Sequence, residues 1–367
     1  MSLKSLVPES LKFLEEYINA PSPVGFECRL PHGQKTGQQF WVEYIKPFVD
    51  DFFIDTYGTA MGIINPKEEY KVIIASHADE ISWFVHYITK EGFIYLIRNG
   101  SIDHQVALSK RANIHTEKGI VKAVFGWPAI HVREPGKEEH PSVKNLFLDC
   151  GCKSDKEVEK LGVHVGCVVT YEDGFMILNN QYFVGRALDN RIGGFTIAQV
   201  ARLLKEKKIK LPFGLYIVNA VQEEVGSHGA RMIASRIKPN VAIVTDATHD
   251  TQTPMINKML SGDIFCGKGP SLTYGPAVHN KFLDFVISVA KKNHIPFQRE
   301  AVFRVTGTDA DAFAYSGTGI ASVLISLPIR YMHTTVEMTH RGDLENVIRL
   351  IYETVRSIKC NQSFNYL

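Results

Sequence analysis

Five clusters of acidic and histidine residues, each closing an apolar run, constrain the fold of this chain more than any other feature. They are His77-Ala-Asp79-Glu80, Leu188-Asp189-Asn190, Gln222-Glu223-Glu224, Thr245-Asp246 and Met332-His333. Each follows a stretch that reads as a strand or a strand-to-helix turn. In open α/β sheets, ligands gather outside the carboxyl ends of the strands. Carboxylates and imidazoles collected there can hold two divalent metals, and a metal pair can hydrolyse amide bonds. With 14 histidines and 39 acidic residues in the chain, most must be surface or structural, so the combination carries the inference. His77 and Asp246 each end an apolar strand, where an unpaired polar group is costly to bury. Glu223 and Glu224 are adjacent acids just past a buried strand, and such neighbours repel unless a cation or proton lies between them.

The periodicity along the chain gives an α/β fold: a mixed, largely parallel sheet flanked by helices, with a β-rich, barrel-like domain inserted. Residues 8–19 have helical spacing at Leu11, Leu14, Tyr17 and Ile18. A second helix is expected over 36–49, ahead of short strands in 51–64. Residues 70–76 form a mostly apolar run, as suits a strand buried on both faces. From 82 to 178 the texture is short β-rich pieces between turn signals, with one helix near 155–161. The α/β texture then resumes. Asp189 opens a helix through about Lys205, strands cover 214–221, 240–245 and 321–327, and helices lie near 228–236 and 281–293. Asp343 caps a last helix through Ile358. The catalytic domain is therefore expected over 1–81 and 179–367, and the insert over 82–178.

Composition excludes several classes. The net charge of +2, from 41 basic and 39 acidic residues, gives no nucleic-acid footprint, which needs a basic patch or stripe. No apolar run approaches the ~18 residues of a membrane span, and the first residues lack the apolar core of a signal peptide. A cytoplasmic protein without membrane or nucleic-acid partners is expected. The six cysteines, at 28, 150, 152, 167, 266 and 360, do not form a disulfide framework. Cys150-Gly-Cys152 with Cys167 has one intervening residue and no second pair, so free thiols are expected rather than structural zinc.

Several segments together resemble the tetrahedral (TET-type) dizinc aminopeptidases, also known as glutamyl aminopeptidases or cellulase-like metallopeptidases. They are Ser22-Pro-Val-Gly-Phe-Glu27, Ser76-His-Ala-Asp-Glu80, Leu188-Asp-Asn-Arg191, Val221-Gln-Glu-Glu-Val-Gly226, Gly307-Thr-Asp-Ala310 and Arg330-Tyr-Met-His333. Their order and spacing span roughly residues 20 to 355. The resemblance implies that Asp189 bridges two metals, that His77 and Asp246 complete one site, and that Glu224 and His333 complete the other. It implies that Glu223 is the general base toward a metal-bridging water and that Asp79 orients His77 by a hydrogen bond. Two divalent ions per subunit follow, with zinc or cobalt suiting imidazole and carboxylate ligands. It further implies release of amino-terminal residues from short peptides, dimerisation through the insert, and a hollow dodecamer that excludes folded proteins.

Other residues compete for these roles. His340 reads as a surface or capping-region residue beside Arg341-Gly-Asp343. Glu80 ranks below Asp79 as a ligand because its side chain should point away. Asp309 reads first as the N-cap of a helix over 310–315, and its Gly-Thr-Asp motif also suggests a place in the substrate pocket. Val302-Phe-Arg-Val-Thr306 stands where the family has a glycine-rich stretch, and 269–280 is short. The rival functions are a dizinc carboxypeptidase or N-acyl amino acid deacylase, and a non-catalytic oligomeric peptide-binding scaffold. A glycosidase needs two carboxylates across a sugar bond and no metal pair.

Overall fold

The computed structural model describes residues 5–137 and 139–366. Strands β1 (Asp51–Ile54), β2 (Ala60–Ile64) and β3 (Lys71–His77) begin a large mixed sheet. β3 is the expected apolar run, and Val72, Ile73, Ile74 and Ala75 are fully buried on both faces. The chain then leaves that sheet. β4 (Ser82–Ile88), β5 (Ile94–Asn99), β6 (Arg111–Thr116), β7 (Gly119–Phe125), β8 (Phe147–Asp149) and β9 (Val168–Tyr171) close an antiparallel barrel in the order β4-β5-β8-β7-β6-β9. Closure leaves the barrel without open edges. β10 (Met176–Leu178) and β11 (Tyr182–Gly185) return to the large sheet. There they are joined by β12 (Gly214–Ala220), β13 (Val241–His249), β14 (Ser271–Tyr274), β15 (Gln298–Ala301), β16 (Ala321–Arg330) and β17 (Glu337–His340).

The large sheet runs β1-β2-β12-β3-β13-β16-β17-β11-β10, with β14 on β16 and β15 on β14. Its centre, β12-β3-β13-β16, is parallel, so the ends of these strands share one edge. Register sharpens this. Ala220 pairs with His77 and Val244 with Ala75, which places Asp246 level with His77. The Glu223-Glu224 turn leaves β12 at the same edge. β13 and β16 run further than their apolar cores suggest, because pairing continues from Asp246↔Ser326 to His249↔Ile329. Asp246 therefore lies within a strand and not at its end.

In chain order the helices are α1 (Pro8–Asn19), α2 (Gly37–Ile45), α3 (Asp155–Lys160), α4 (Leu188–Glu206), α5 (His228–Ile237), α6 (Lys258–Ser261), α7 (Asn280–Lys292), α8 (Asp309–Ala314) and α9 (Arg341–Ser357). α4 is buried at every position from Leu188 to Leu204, where sequence spacing suggested one apolar face. It is enclosed by β3, β13, α1, α2 and α9. The buried Arg202 is held by neighbours on the same helix, Glu206 at 2.8 Å and the Gln199 side-chain oxygen at 2.8 Å. α9 begins two residues before Asp343. His340 is its cap, accepting from the Gly342 N–H at 3.1 Å. Asp343 instead accepts backbone N–H groups of Gly267 and Gly269.

Two separate apolar cores result. One fills the space between the large sheet and its helices, with Trp41, Phe195, Phe213 and Phe282 fully buried. The other fills the barrel around Trp83, Phe125 and Leu148. Among the described residues the six cysteines are unpaired, and no helix is long and apolar enough to cross a membrane.

Candidate metal centre

His77, Asp189, Glu223, Glu224, Asp246 and His333 converge at the carboxyl edge of the parallel strands. His77 Nε2 lies 3.3 Å from Asp189 Oδ1, 3.7 Å from Asp246 Oδ1 and 3.8 Å from Glu223 Oε2. His333 Nε2 lies 3.3 Å from Asp189 Oδ2 and 3.3 Å from Glu224 Oε1. Each oxygen of Asp189 thus faces a different imidazole. Three overlapping trios have ligand atoms within 4.8 Å of one another: His77/Asp189/Asp246, Asp189/Glu224/His333 and His77/Glu223/Glu224.

Local structure explains how each side chain arrives. His77 closes β3 and Asp246 lies in β13, both held by ladder hydrogen bonds. Asp189 and Asn190 depart from helical angles at the head of α4. Asn190 is pinned there, donating to the Thr245 carbonyl (2.9 Å) and accepting from the Gly193 N–H (3.0 Å). A side chain at position 193 would collide with Asn190 Oδ1 at 2.2 Å and Ser76 Oγ at 2.4 Å, so this close approach requires glycine. Ala187, Gln222, Tyr331 and His333 have φ of 57°, 58°, 60° and 61°. Non-glycine residues in this left-handed region cluster at functional sites.

Behind the six residues is a layer of buried carboxylates. Asp79 accepts the backbone N–H groups of Glu223 and Glu224, each at 3.0 Å. Its oxygen is 3.4 Å from His77 Nδ1, but that nitrogen makes no hydrogen bond of good geometry. The orienting bond to His77 implied by the sequence resemblance is thus an electrostatic contact here, and the directed bonds go to the Glu223-Glu224 turn. Glu337 accepts from the His333 N–H (2.7 Å) and the Asp189 N–H (2.9 Å). Sequence reading missed it, since a lone acid after a loop carries no periodic signal; its only mark is lying four residues past His333. His333 Nδ1 lies 3.0 Å from the Ser101 carbonyl oxygen, in the loop after β5. A carbonyl only accepts, so Nδ1 carries a proton and Nε2 is the nitrogen that faces the centre.

Glu80 points away, as its low ranking required. It is paired with Arg186, lies 3.3 Å from Arg191 Nη2 and accepts the Ser22 N–H at 2.7 Å. Asp309 corrects an expectation. Thr308 is the cap of α8, accepting from the Ala310 N–H, and Asp309 is the first helical residue. The Asp309 carboxyl is fully buried with no hydrogen bond of standard geometry, although the Ser227 side chain lies close enough to favour its charged form.

The electrostatics favour added positive charge at the centre, as protons or as a cation. Burial and then Asp246, Asp189 and Asp79 act on His77 in opposite senses, and the carboxylates win, raising its pKa well above the usual value. Against the same penalty of burial, Asp189 and Glu224 raise His333 to about 12. Burial, with Asp189 and Asp309 adding to it against His77, pushes Asp246 well up. Burial also raises Asp309 to about 7. With both imidazoles protonated, four ionised carboxylates would still leave two excess negative charges in a buried space. Imidazole nitrogen and carboxylate oxygen form a donor set that divalent transition metals fit. A carbonyl-backed imidazole is the usual support of such a ligand. A cavity of about 820 Å³ lies where the parallel strands begin, beside Asn240, His279 and Ile320, and contains none of these groups.

The sequence pattern of the M42 glutamyl aminopeptidases matches residues 58–350. The lysyl aminopeptidase of Pyrococcus furiosus is 32% identical over 320 residues, covering 87% of this chain and 90% of that one. Among solved structures, a TET aminopeptidase from a marine sediment thaumarchaeote superposes with a TM-score of 0.89 at 30% identity, covering 95% of this chain and 96% of that one. The Pyrococcus horikoshii TET1 peptidase, which can assemble into a tetrahedron or a large octahedral shell, gives 0.82 at 26% identity, with 95% and 100% covered. The chain belongs to the M42 glutamyl aminopeptidase family, and its activity is that of an aminopeptidase.

Proposed function

We propose that the centre holds two divalent cations, zinc or cobalt, and releases amino-terminal residues from short peptides with Glu223 as general base. The observation that carries this reading is the placement of Asp189, with one oxygen 3.3 Å from each imidazole. A carboxylate shared in this way suits a bridge. His77 and Asp246 would complete one cation's protein ligands, and Glu224 and His333 the other's. Bound there, the cations would polarise the scissile carbonyl and acidify the attacking water.

The chain's own groups do the rest. Glu223 takes a proton as the water oxygen attacks the carbonyl carbon, and gives it to the leaving nitrogen as the C–N bond breaks. Its side chain is 11% exposed against 5% for Glu224, which suits a base that must meet substrate. Burial raises its pKa, His77 opposes this, and Asp246, Asp309 and Glu224 add to the rise, favouring a group that can hold a proton between the two steps. Asp79 keeps the Glu223-Glu224 turn in place. Asp309, buried behind the centre, would bear on the substrate only through Glu223 and Asp246, whose protons it helps to hold.

The inserted barrel serves dimerisation in this reading, and dimers build a dodecamer. This rests on the family likeness, and exposed apolar side chains of the inserted segment, such as Ile130, Val132 and Val165 at 66%, 75% and 61%, are available for such a contact. The free thiols suit the reducing cytoplasm.

Glu223→Gln tests the base. Metal content should stay at wild-type level while kcat falls by about 10²–10⁴-fold. Turnover close to wild type would remove Glu223 from that role.

A further inference from the structure

The ligand-bearing segments differ in what holds them. His77 and Asp246 sit in strands whose ladders fix them, through Ala220↔His77 and Asp246↔Ser326. Asp189, at the distorted head of α4, and His333, in the turn after β16, lie outside any ladder. Their position depends on whatever satisfies their backbone N–H groups, which cannot be left unpaired when buried. One side chain does this for both. Glu337 accepts from His333 through Oε1 at 2.7 Å and from Asp189 through Oε2 at 2.9 Å, and it is 2% exposed.

Topology explains why one residue can reach both turns. β17, which Glu337 opens, pairs with β11 through Gly185↔Glu337 and with β16 through Arg330↔Met338. β11 leads into Asp189 and β16 leads into His333. Glu337 therefore stands at the seam between two strands whose following turns each deliver one group to the centre. It touches neither imidazole nor carboxylate of the centre through a hydrogen bond of its own.

We propose that Glu337 is a positioning residue that fixes Asp189 against His333, and so governs the cation of the Asp189/Glu224/His333 trio in preference to that of His77/Asp189/Asp246. This rests on the two-cation reading above. The preference follows because His77 and Asp246 keep their ladder support whatever happens at 337. Two N–H donors need two acceptor oxygens. A glutamine offers one oxygen and one NH₂, and the NH₂ would confront one of the two amides and displace its turn.

The test is titration of metal-stripped wild-type and Glu337→Gln protein with cobalt(II), followed by visible absorption and calorimetry, with thermal unfolding of both stripped proteins alongside. Wild type should take up two equivalents. The variant should bind the first like wild type and the second about 10–100-fold more weakly, the usual effect of losing a group that supports a ligand from behind. Were the variant not to fold, Glu337→Asp replaces it: the charge remains, but the shorter arm reaches one N–H only, and the same selective weakening is expected. Two unchanged equivalents, or parallel weakening of both together with a lowered metal-free unfolding temperature, would overturn the inference. Fewer than two equivalents in the wild type would instead overturn the two-cation reading, and the role of Glu337 with it.

Discussion

His115 shows how much a single buried side chain contributes away from the centre. It lies on β6, with Nδ1 3.1 Å from His32 Nε2 and Nε2 2.9 Å from the Thr170 hydroxyl. His32 Nδ1 accepts from the Gln34 N–H at 3.2 Å, so its proton sits on Nε2 and points at His115. Burial first, then His32, Arg186 and Lys122, hold the His115 pKa down at about 3. An unfolded chain would take up this proton near pH 6.5 while the folded one does not. Stability is therefore lost as pH falls below about 6.5 and is fully present above it. Between pH 7.5 and 5.0 the loss should be about 2 kcal/mol from this residue. Urea midpoints of wild type and His115→Gln at both values check it: the variant should lose less on acidification, and equal losses would contradict the assignment. The histidines and acids of the candidate centre were legible because each lies at or just past an apolar run. The roles of Glu337, Asp79 and the Ser101 carbonyl were not, because accepting a backbone N–H or turning a carbonyl inward leaves no pattern in a sequence.

Among elements, the buried cluster of Glu80, Arg186 and Arg191 ties three of them together. Glu80 follows β3, Arg186 follows β11, Arg191 lies in the first turn of α4, and Glu80 also holds the Ser22 backbone N–H. Removing the carboxylate leaves two guanidinium groups uncompensated in the interior. Glu80→Ala should destabilise the protein by about 3–5 kcal/mol while the metal content of the folded fraction remains at wild-type level. Loss of metal at unchanged stability would make Glu80 a ligand instead. The long apolar strands and amphipathic helices were legible for the same reason that they are stable, their periodic burial. β8, β14, β15 and β17 were not. They are three or four residues long and include polar stretches such as Gln298-Arg299-Glu300, so their pairing comes from neighbours that no local pattern shows. Asp343 and Asp309 were misassigned as caps because sequence places an acid near a helix start without saying which residue takes the extended cap conformation.

For the whole molecule, two cores are linked at the centre itself. The loop after β5 of the barrel presents the Ser101 carbonyl to His333, so the barrel helps to shape the site that the large sheet builds. The most direct test of the central claim is hydrolysis of a panel of free-amine aminoacyl anilides and their N-acetylated counterparts. It is run as purified, after chelation, and after adding back cobalt or zinc. The account predicts release from free-amine substrates only, abolished by the chelator and restored by the metal. Release that survives chelation, or that favours the N-acetylated substrates, would contradict it.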